Sequence, residues 1–385
     1  MMESILVVHG GAPTAVINAS LYGAVRQTRR RGFRGRIYGA IHGTGGVLEE
    51  RFADLGSSSE EALRRLLDTP ASAIGTSRTP LEAEDYGRMA EILKKHQIRA
   101  VLMTGGNGTM DACGRLKAVC ADEGISVCGI PKTIDNDIGV IDHAPGYGSA
   151  ARFVAQCVSE IALDVRALPI HVCIVEVMGR NAGWLAAASA LARREEGGAP
   201  DLIYVPEAAF DEEKFLSDVS ALHAQKGDVV VVVSEGLKRP DGSTVAPPLF
   251  VSGRARYDGD VGNHLAKLVI SRLGIKARSE KPGIWGRCCM AAQSPVDREE
   301  AVRMGALAAD AALDGRSGVM AGLRRLSSDP YSCEEMLVPV EQVMLEERLL
   351  PPAFLSPAGN DVTEEFVAWC RPLAAYTPPD YASYF

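Results

Sequence analysis

Gly129-Ile130-Pro131-Lys132-Thr133-Ile134-Asp135-Asn136-Asp137-Ile138-Gly139 decides how the rest of the chain is understood. The apolar run Val127 to Ile130 predicts a buried strand that stops at Pro131. Lys132, Thr133, Asp135 and Asp137 follow within six positions. In extended backbone, residues two apart face one side, so Thr133, Asp135 and Asp137 can point into one space with Lys132 beside them. Two carboxylates, a hydroxyl and an ammonium suit phosphoryl transfer. One Asp accepts the proton of an attacking hydroxyl, another holds Mg²⁺, and a cation steadies the phosphates. The same letters also fit a plain acidic turn closing a strand, and spacing alone leaves both open.

The surrounding chain narrows the choice. With 385 residues and 46% hydrophobic content, two domains with sizeable cores are expected. A formal net charge of −8 argues against a nucleic-acid binder. Nine cysteines include no Cys-x-x-Cys pair, and Cys288 and Cys289 are adjacent, which is poor disulfide geometry. Met1-Met2-Glu3-Ser4 leads straight into a strand-like run, with no leader of secretory type. Reduced thiols and a cytoplasmic protein are the expectation. No apolar stretch reaches the roughly 20 residues that span a bilayer, so no membrane partner is expected.

Working outward, strand-like runs repeatedly end in polar, Gly-rich turns. Ile5–Val8 runs into His9-Gly10-Gly11, then a helix over Ala15–Thr28; Ile37–Ile41 runs into Gly43-Thr44-Gly45-Gly46. Gly75-Thr76-Ser77-Arg78 is a compact turn able to meet phosphate oxygens. Ala100–Met103 ends in Thr104-Gly105-Gly106-Asn107-Gly108-Thr109 before a helix over Met110–Cys120. Val172–Val177 ends in Met178-Gly179-Arg180, Leu202–Val205 in Pro206-Glu207, and Val229–Val233 in Ser234-Glu235-Gly236. Open α/β sheets bind ligands at such carboxyl ends. No Gly-x-x-x-x-Gly-Lys-Ser/Thr occurs, which excludes a P-loop NTPase. Gly146-Tyr147-Gly148-Ser149-Ala150-Ala151 matches Gly-x-Gly-x-x-Ala but follows no strand. Further helices are expected over 82–96, 149–163, 185–194, 261–273 and 297–313, a loop over 238–260, and an irregular tail over 328–385 with a helix near Glu341–Arg348.

Taken together, Gly105-Gly106-Asn107-Gly108-Thr109, Pro131-Lys132-Thr133-Ile134-Asp135-Asn136-Asp137, Val177-Met178-Gly179-Arg180, Pro206-Glu207 and the pair Arg278 and Arg287 resemble the 6-phosphofructokinase family, in order and spacing from Gly10 to about Arg298. The resemblance implies an α/β protein of two Rossmann-like three-layer domains with mostly parallel sheets and a cleft between them. The expected phosphoryl-donor domain is 1–146 plus about 285–335. The expected sugar-phosphate domain is about 147–284 plus 336–385. By the same resemblance Asp135 is the general base, with Arg180 and Lys132 completing the catalytic set. Thr133, Asp137, Met178, Gly179, Glu207, His171, Arg278 and Arg287 bind the sugar phosphate. Gly11, Arg78, Gly106, Asn107, Gly108 and Thr109 hold the donor, and Asn107, Asp135 and Asp137 the Mg²⁺. An arginine matching Arg278 reaches across from a neighbouring subunit, which implies a homodimer or homotetramer.

Departures from the family pattern define the open points. Asn107 stands where a Mg²⁺-binding Asp is usual, and a neutral amide is a weaker ligand for a hard cation. Gly108 resembles the ATP enzymes and Lys132 the pyrophosphate enzymes; a side chain excludes ATP sterically and a lysine does not, so ATP is the favoured donor over pyrophosphate. His171 replaces an Arg and Ile284 a His or hydroxyl residue of the sugar-phosphate clamp, and each lost charge-assisted bond weakens a phosphate by roughly 1.5–3 kcal/mol. Arg254, Arg256 or Lys281 would then have to substitute. The leading expectation is transfer from ATP or pyrophosphate to fructose 6-phosphate. The alternatives are the same chemistry on another sugar or polyol, and a catalytically silent ligand-sensing subunit.

Overall fold

A computed structural model describes residues 3–169, 171–194, 198–252, 255–344 and 346–382. The chain forms two compact units, Met1–Ser149 with Arg287–Arg348, and Ala150–Gly286 with Leu349–Phe385.

The first unit is built on a seven-stranded sheet in the order Tyr331–Pro339, Val319–Ser328, Ser126–Pro131, Ile98–Gly105, Ser4–His9, Arg36–Ala40, Phe52–Asp54. All neighbours are parallel except the two outermost pairs. Ser4–His9, Ile98–Gly105 and Ser126–Pro131 are nearly continuous apolar runs because both sheet faces are covered. One face carries Leu6, Val8, Val101 and Met103 with Met89, Leu93 and Leu116; the other carries Ile5, Val7, Leu102 and Ile130 with Leu21, Val25 and Met304. The helices Ile17–Arg30 and Pro295–Leu313 cross closely on that second face. A Cβ at Gly23 would lie 2.0 Å from the Val302 carbonyl oxygen, and one at Gly305 2.0 Å from that of Ser20, so only glycine permits the approach.

The second unit has a four-stranded parallel sheet in the order Lys276–Glu280, His171–Val177, Val229–Ser234, Leu202–Tyr204. Val229–Ser234 is fully buried, as five consecutive valines require. Trp184, Phe354, Phe366 and Trp369 form an aromatic cluster beneath the helix Glu364–Ala374.

Several expectations need correction. The stretch 336–348, assigned to the second domain, belongs to the first unit, because Tyr331–Pro339 pairs antiparallel with Val319–Ser328 along nearly its whole length. No helix spans Glu341–Arg348; the chain makes the short 3₁₀ turn Val340–Gln342, and the tail's α-helix is Glu364–Ala374, capped by Thr363. The expected loop 238–260 contains the antiparallel pair Pro248–Ser252 and Ala255–Asp258. The helix Glu212–Lys226 was not anticipated, although Asp211 caps its start and the left-handed Gly227 ends it.

Candidate active site

Three parallel strands of the first unit, Ser4–His9, Ile98–Gly105 and Ser126–Pro131, release their chains at the same sheet edge. Hydrogen bonds then tie the outgoing loops together. Gly10 N donates to Thr104 O at 2.8 Å, Lys132 N to Gly105 O at 3.0 Å, and Gly11 N to Ser77 O at 2.9 Å. Thr76 Oγ1 donates to Gly11 O at 2.7 Å. A Cβ at Gly10 or Gly105 would fall 2.3 or 2.0 Å from Thr109 Oγ1, so both glycines make room for that side chain.

The loops enclose a cavity of about 520 Å³ whose walls include Gly11, Arg78, Gly106 to Thr109, Lys132, Asp135, Asp137 and Arg287. Every residue expected to hold a phosphoryl donor therefore lines one space. The helix Asn107–Val119 starts at its wall, so its first backbone amides and positive dipole end are available to an anion. A Cβ on Gly108 would meet nothing within 4 Å.

Lys132 is only 4% exposed, and its Nζ donates to the Ala12 carbonyl at 2.5 Å. Burial lowers its pKa to about 8; Asp135 and Asp137 oppose this, while Arg78 and Arg287 add to it. His9, at the end of the first strand, is buried and neutral. Burial, with Lys132 nearby, lowers its pKa to about 3. Ser72 Oγ donates to Gly75 O at 2.8 Å, so it accepts from His9 Nδ1 at 2.8 Å, and this orders the turn leading to Arg78. Neither His9 nor Ala12 was anticipated; a polar residue at the end of a fully buried strand was the only signal for His9.

The acidic turn is internally bonded. Thr133 Oγ1 donates to Asp137 Oδ1 at 2.9 Å and accepts from Asp135 N at 3.0 Å. Asn107 Nδ2 donates to Asp137 Oδ2 at 3.0 Å and to Asp137 O at 3.0 Å. Burial raises the Asp137 pKa, with the Thr133 bond opposing. Asn136 sits between the two aspartates at φ +52°, so of the two conformations the spacing left open the stretch takes the bend, not the extended run. Thr133 and Asp137 thus brace the turn, and each Asp137 carboxylate oxygen, accepting one of these bonds, has a second lone pair. The backbone N of Arg348, which sequence reasoning missed, donates to Asp137 O at 2.8 Å from outside.

Asn107 Oδ1 is a buried acceptor with no hydrogen-bond partner. With the Asp135 and Asp137 carboxylates on the same cavity wall, that oxygen set fits a hard divalent cation using one or two carboxylates and donor phosphate oxygens.

In the second unit, Met178, Gly179 and Arg180 follow the carboxyl end of His171–Val177. Gly179 has φ +124°, and its carbonyl accepts from Ser234 Oγ. A Cβ at Gly236 would fall 1.6 Å from Arg180 O, so that glycine lets the two loops touch. Glu207 accepts from Gly183 N at 3.0 Å and Leu350 N at 2.8 Å; burial raises its pKa and these amides oppose the rise. His171 lies at the opposite end of the strand from Met178, and Arg278 pairs in register with Cys173. Six residues of strand separate the His171 and Val177 rungs, about 20 Å. The second unit therefore does not bring His171 together with Met178–Arg180, and Arg278, level with Cys173, stands four rungs, about 13 Å, back from Val177. His171 is 2% exposed, with Nδ1 against Leu168 O at 3.0 Å. Lys281, expected as a substitute cation, pairs instead with Glu176 at 2.7 Å and with Asp260. Arg254 and the Arg256 side chain lie outside the described residues.

A fold of this kind, with a lysine, two aspartates and an amide-rich helix start around one cavity, defines a phosphoryl-transfer protein. The family model described as phosphofructokinase matches residues 4–312, and the chain belongs to that family, whose members are phosphotransferases with an alcohol group as acceptor. Among its relatives, a pyrophosphate–fructose 6-phosphate 1-phosphotransferase of Rhodospirillum rubrum is 37% identical over 98% of this chain and 95% of its own. A sulfofructose kinase of Alkalicoccus urumqiensis is 36% identical over 90% of each chain. The crystal structure of a pyrophosphate-dependent phosphofructokinase from Nitrosospira multiformis superposes with a TM-score of 0.89 at 32% identity, covering 100% of this chain and 94% of that one. Among the described residues no helix is long and apolar enough to cross a membrane.

Proposed function

We propose that this protein transfers a phosphoryl group from a phosphoanhydride donor to the 1-hydroxyl of fructose 6-phosphate. The observation that supports this most is the single cavity gathering Lys132, Asp135, Asp137, Arg78 and the helix start at Asn107 and Gly108. Asp135 takes the proton of the acceptor hydroxyl. Lys132, Arg78 and the helix start bind the donor phosphates. Thr133 and Asp137 shape the turn that aims Asp135. Asn107 Oδ1, Asp135 and Asp137 would hold Mg²⁺, which when bound neutralises charge on the donor oxygens. Arg180 steadies the transferring group, and Met178, Gly179 and Glu207 contact the sugar. In this reading the first unit is the donor-binding domain and the second the sugar-phosphate domain.

Pyrophosphate is the first donor to test, against the sequence-based preference for ATP. Relatives matching nearly the whole chain are named for it, and Lys132 is held at the cavity wall. ATP is the second reading, carried by the open space beyond Gly108. The separation of His171 and Arg278 from Met178–Arg180 favours a homodimer or homotetramer in which a second copy supplies the missing cations. A different sugar acceptor is favoured by one observation: Ile284, at a clamp position, is 63% exposed and apolar. A silent sensor would have no use for a buried ammonium beside a carboxylate base.

The test is purified protein with Mg²⁺, pyrophosphate or ATP, and a panel including fructose 6-phosphate, sulfofructose and unphosphorylated sugars. Product from fructose 6-phosphate with the highest kcat/KM supports the reading. No product from any donor and acceptor pair overturns it.

A further inference from the structure

His143 has no place in the chemistry above, yet it is 2% exposed and sits between two carboxylates. Its Nδ1 lies 2.8 Å from Asp142 Oδ2 and its Nε2 2.7 Å from Glu300 Oε2. Only the imidazolium donates at both nitrogens. Burial alone would lower its pKa, but the charge of Glu300 and the bonds to both carboxylates outweigh that and push it up to about 9.

Every element packed around this pair adds a charged or titratable group. From the strand Val319–Ser328, Arg325 Nε donates to Asp142 Oδ2 at 3.1 Å. From Tyr331–Pro339, Tyr331 OH donates to Glu300 Oε1 at 2.5 Å and lies 3.2 Å from Cys333 Sγ. On the helix Pro295–Leu313, Asp297 accepts from Gly146 N at 2.8 Å, and Arg303 pairs with Glu335 at 2.8 Å while feeling Glu300. Arg348 donates to Asp142 O. All these groups belong to the first unit.

The segment they secure is the floor of the acidic turn. Ala144 N donates to Asn136 Oδ1 at 3.1 Å, and Thr133 N to Pro145 O at 3.1 Å. Asn136 stands between Asp135 and Asp137, so residues 142–146 carry the turn.

We propose that His143 is a positioning residue for phosphoryl transfer: its link from Asp142 to Glu300 bolts residues 142–146 to the helix Pro295–Leu313 and thereby fixes the direction of Asp135. The proposal rests on Asp135 being the base. It also has a signature independent of activity. The folded His143 pKa lies above the ordinary value of 6.5, so its contribution is fully present below about pH 6.5 and is lost as pH rises through about 9.

The experiment combines hydrogen–deuterium exchange of residues 133–146, corrected for intrinsic exchange, with steady-state kinetics on the full chain. In the unsubstituted protein, protection of these amides should fall as pH rises through about 9. His143→Gln should show low, pH-independent protection, with kcat reduced about tenfold to a hundredfold and donor KM within about threefold, the scale of a small misplacement of a catalytic group. Glu300→Gln, which keeps a hydrogen-bond acceptor but removes one charge, should move the midpoint to lower pH; it also covers the case where His143→Gln does not fold. A folded His143→Gln with unchanged protection and kcat within twofold, or a midpoint that Glu300→Gln does not move, overturns the proposal. If the unsubstituted protein transfers no phosphoryl group but the exchange pattern holds, the functional reading falls and the structural link stands.

Discussion

In the first unit, Lys132 is 4% exposed, bonded to a backbone carbonyl and shifted in pKa, while in the second, Arg180 and Arg278 are exposed, one just past the carboxyl end of His171–Val177 and the other mid-strand beside Cys173. A buried ammonium is costly unless its surroundings hold it, so the first unit has a finished charge site before any ligand arrives. An exposed arginine costs little to leave in water and gains definition only when an anion or another chain meets it. Preorganisation is thus concentrated in the first unit, and substitution of Arg278 in the second should act through substrate affinity.

The sharpest way to break that contrast is Asp135→Asn, which should lower kcat by roughly 10²–10⁴ with little change in donor KM; near-normal turnover would remove the base from the account. Next comes Gly236→Ala in the second unit. Its Cβ would fall 1.6 Å from Arg180 O, a backbone atom that cannot give way, so kcat should drop about a hundredfold. Circular dichroism should report a folded protein; unchanged kcat would mean that the Arg180 loop has more freedom than the first unit's loops.

Smaller effects sharpen the picture. Lys132 binds phosphate as the ammonium, present below its pKa of about 8 and lost above it. Donor KM should therefore rise about tenfold between pH 7 and pH 9, and Lys132→Arg, charged throughout, should flatten that slope. Of similar size is Arg278→Ala: acceptor KM should increase about tenfold with kcat unchanged, the mark of uniform binding lost. A fall in kcat instead would place Arg278 among the preorganised groups.

Local signals carried much of this into the sequence. Strands buried on both faces read as apolar runs, and glycines at their ends marked where loops approach one another, so the α/β class and the sheet edge at Gly10, Gly105 and Lys132 were legible. Asp211 and Gly227 bracketed a helix that its weakly patterned face concealed. Tyr331–Pro339 looked irregular because it is an outer strand whose burial comes from pairing, not from its own alternation. An acidic turn was one of the two readings left open, but its placement at Asn136 was not legible, because the bond that meets that side chain comes from Ala144, eight residues away. His9, His143 and Arg348 act through partners 63, 157 and 206 residues distant, and no local pattern encodes such pairings.

In the proposed reaction the donor lies along Lys132 and the start of the helix Asn107–Val119, with Asp135 facing the acceptor hydroxyl. A crystal structure with Mg²⁺, methylenediphosphonate and fructose 6-phosphate tests it most directly. Phosphonate oxygens should lie within hydrogen-bond distance of Lys132 Nζ and the backbone amides of Asn107 and Gly108, and the sugar 1-hydroxyl on an Asp135 carboxylate oxygen. A diphosphonate bound elsewhere, or an Asp135 side chain turned away from the sugar, would contradict it.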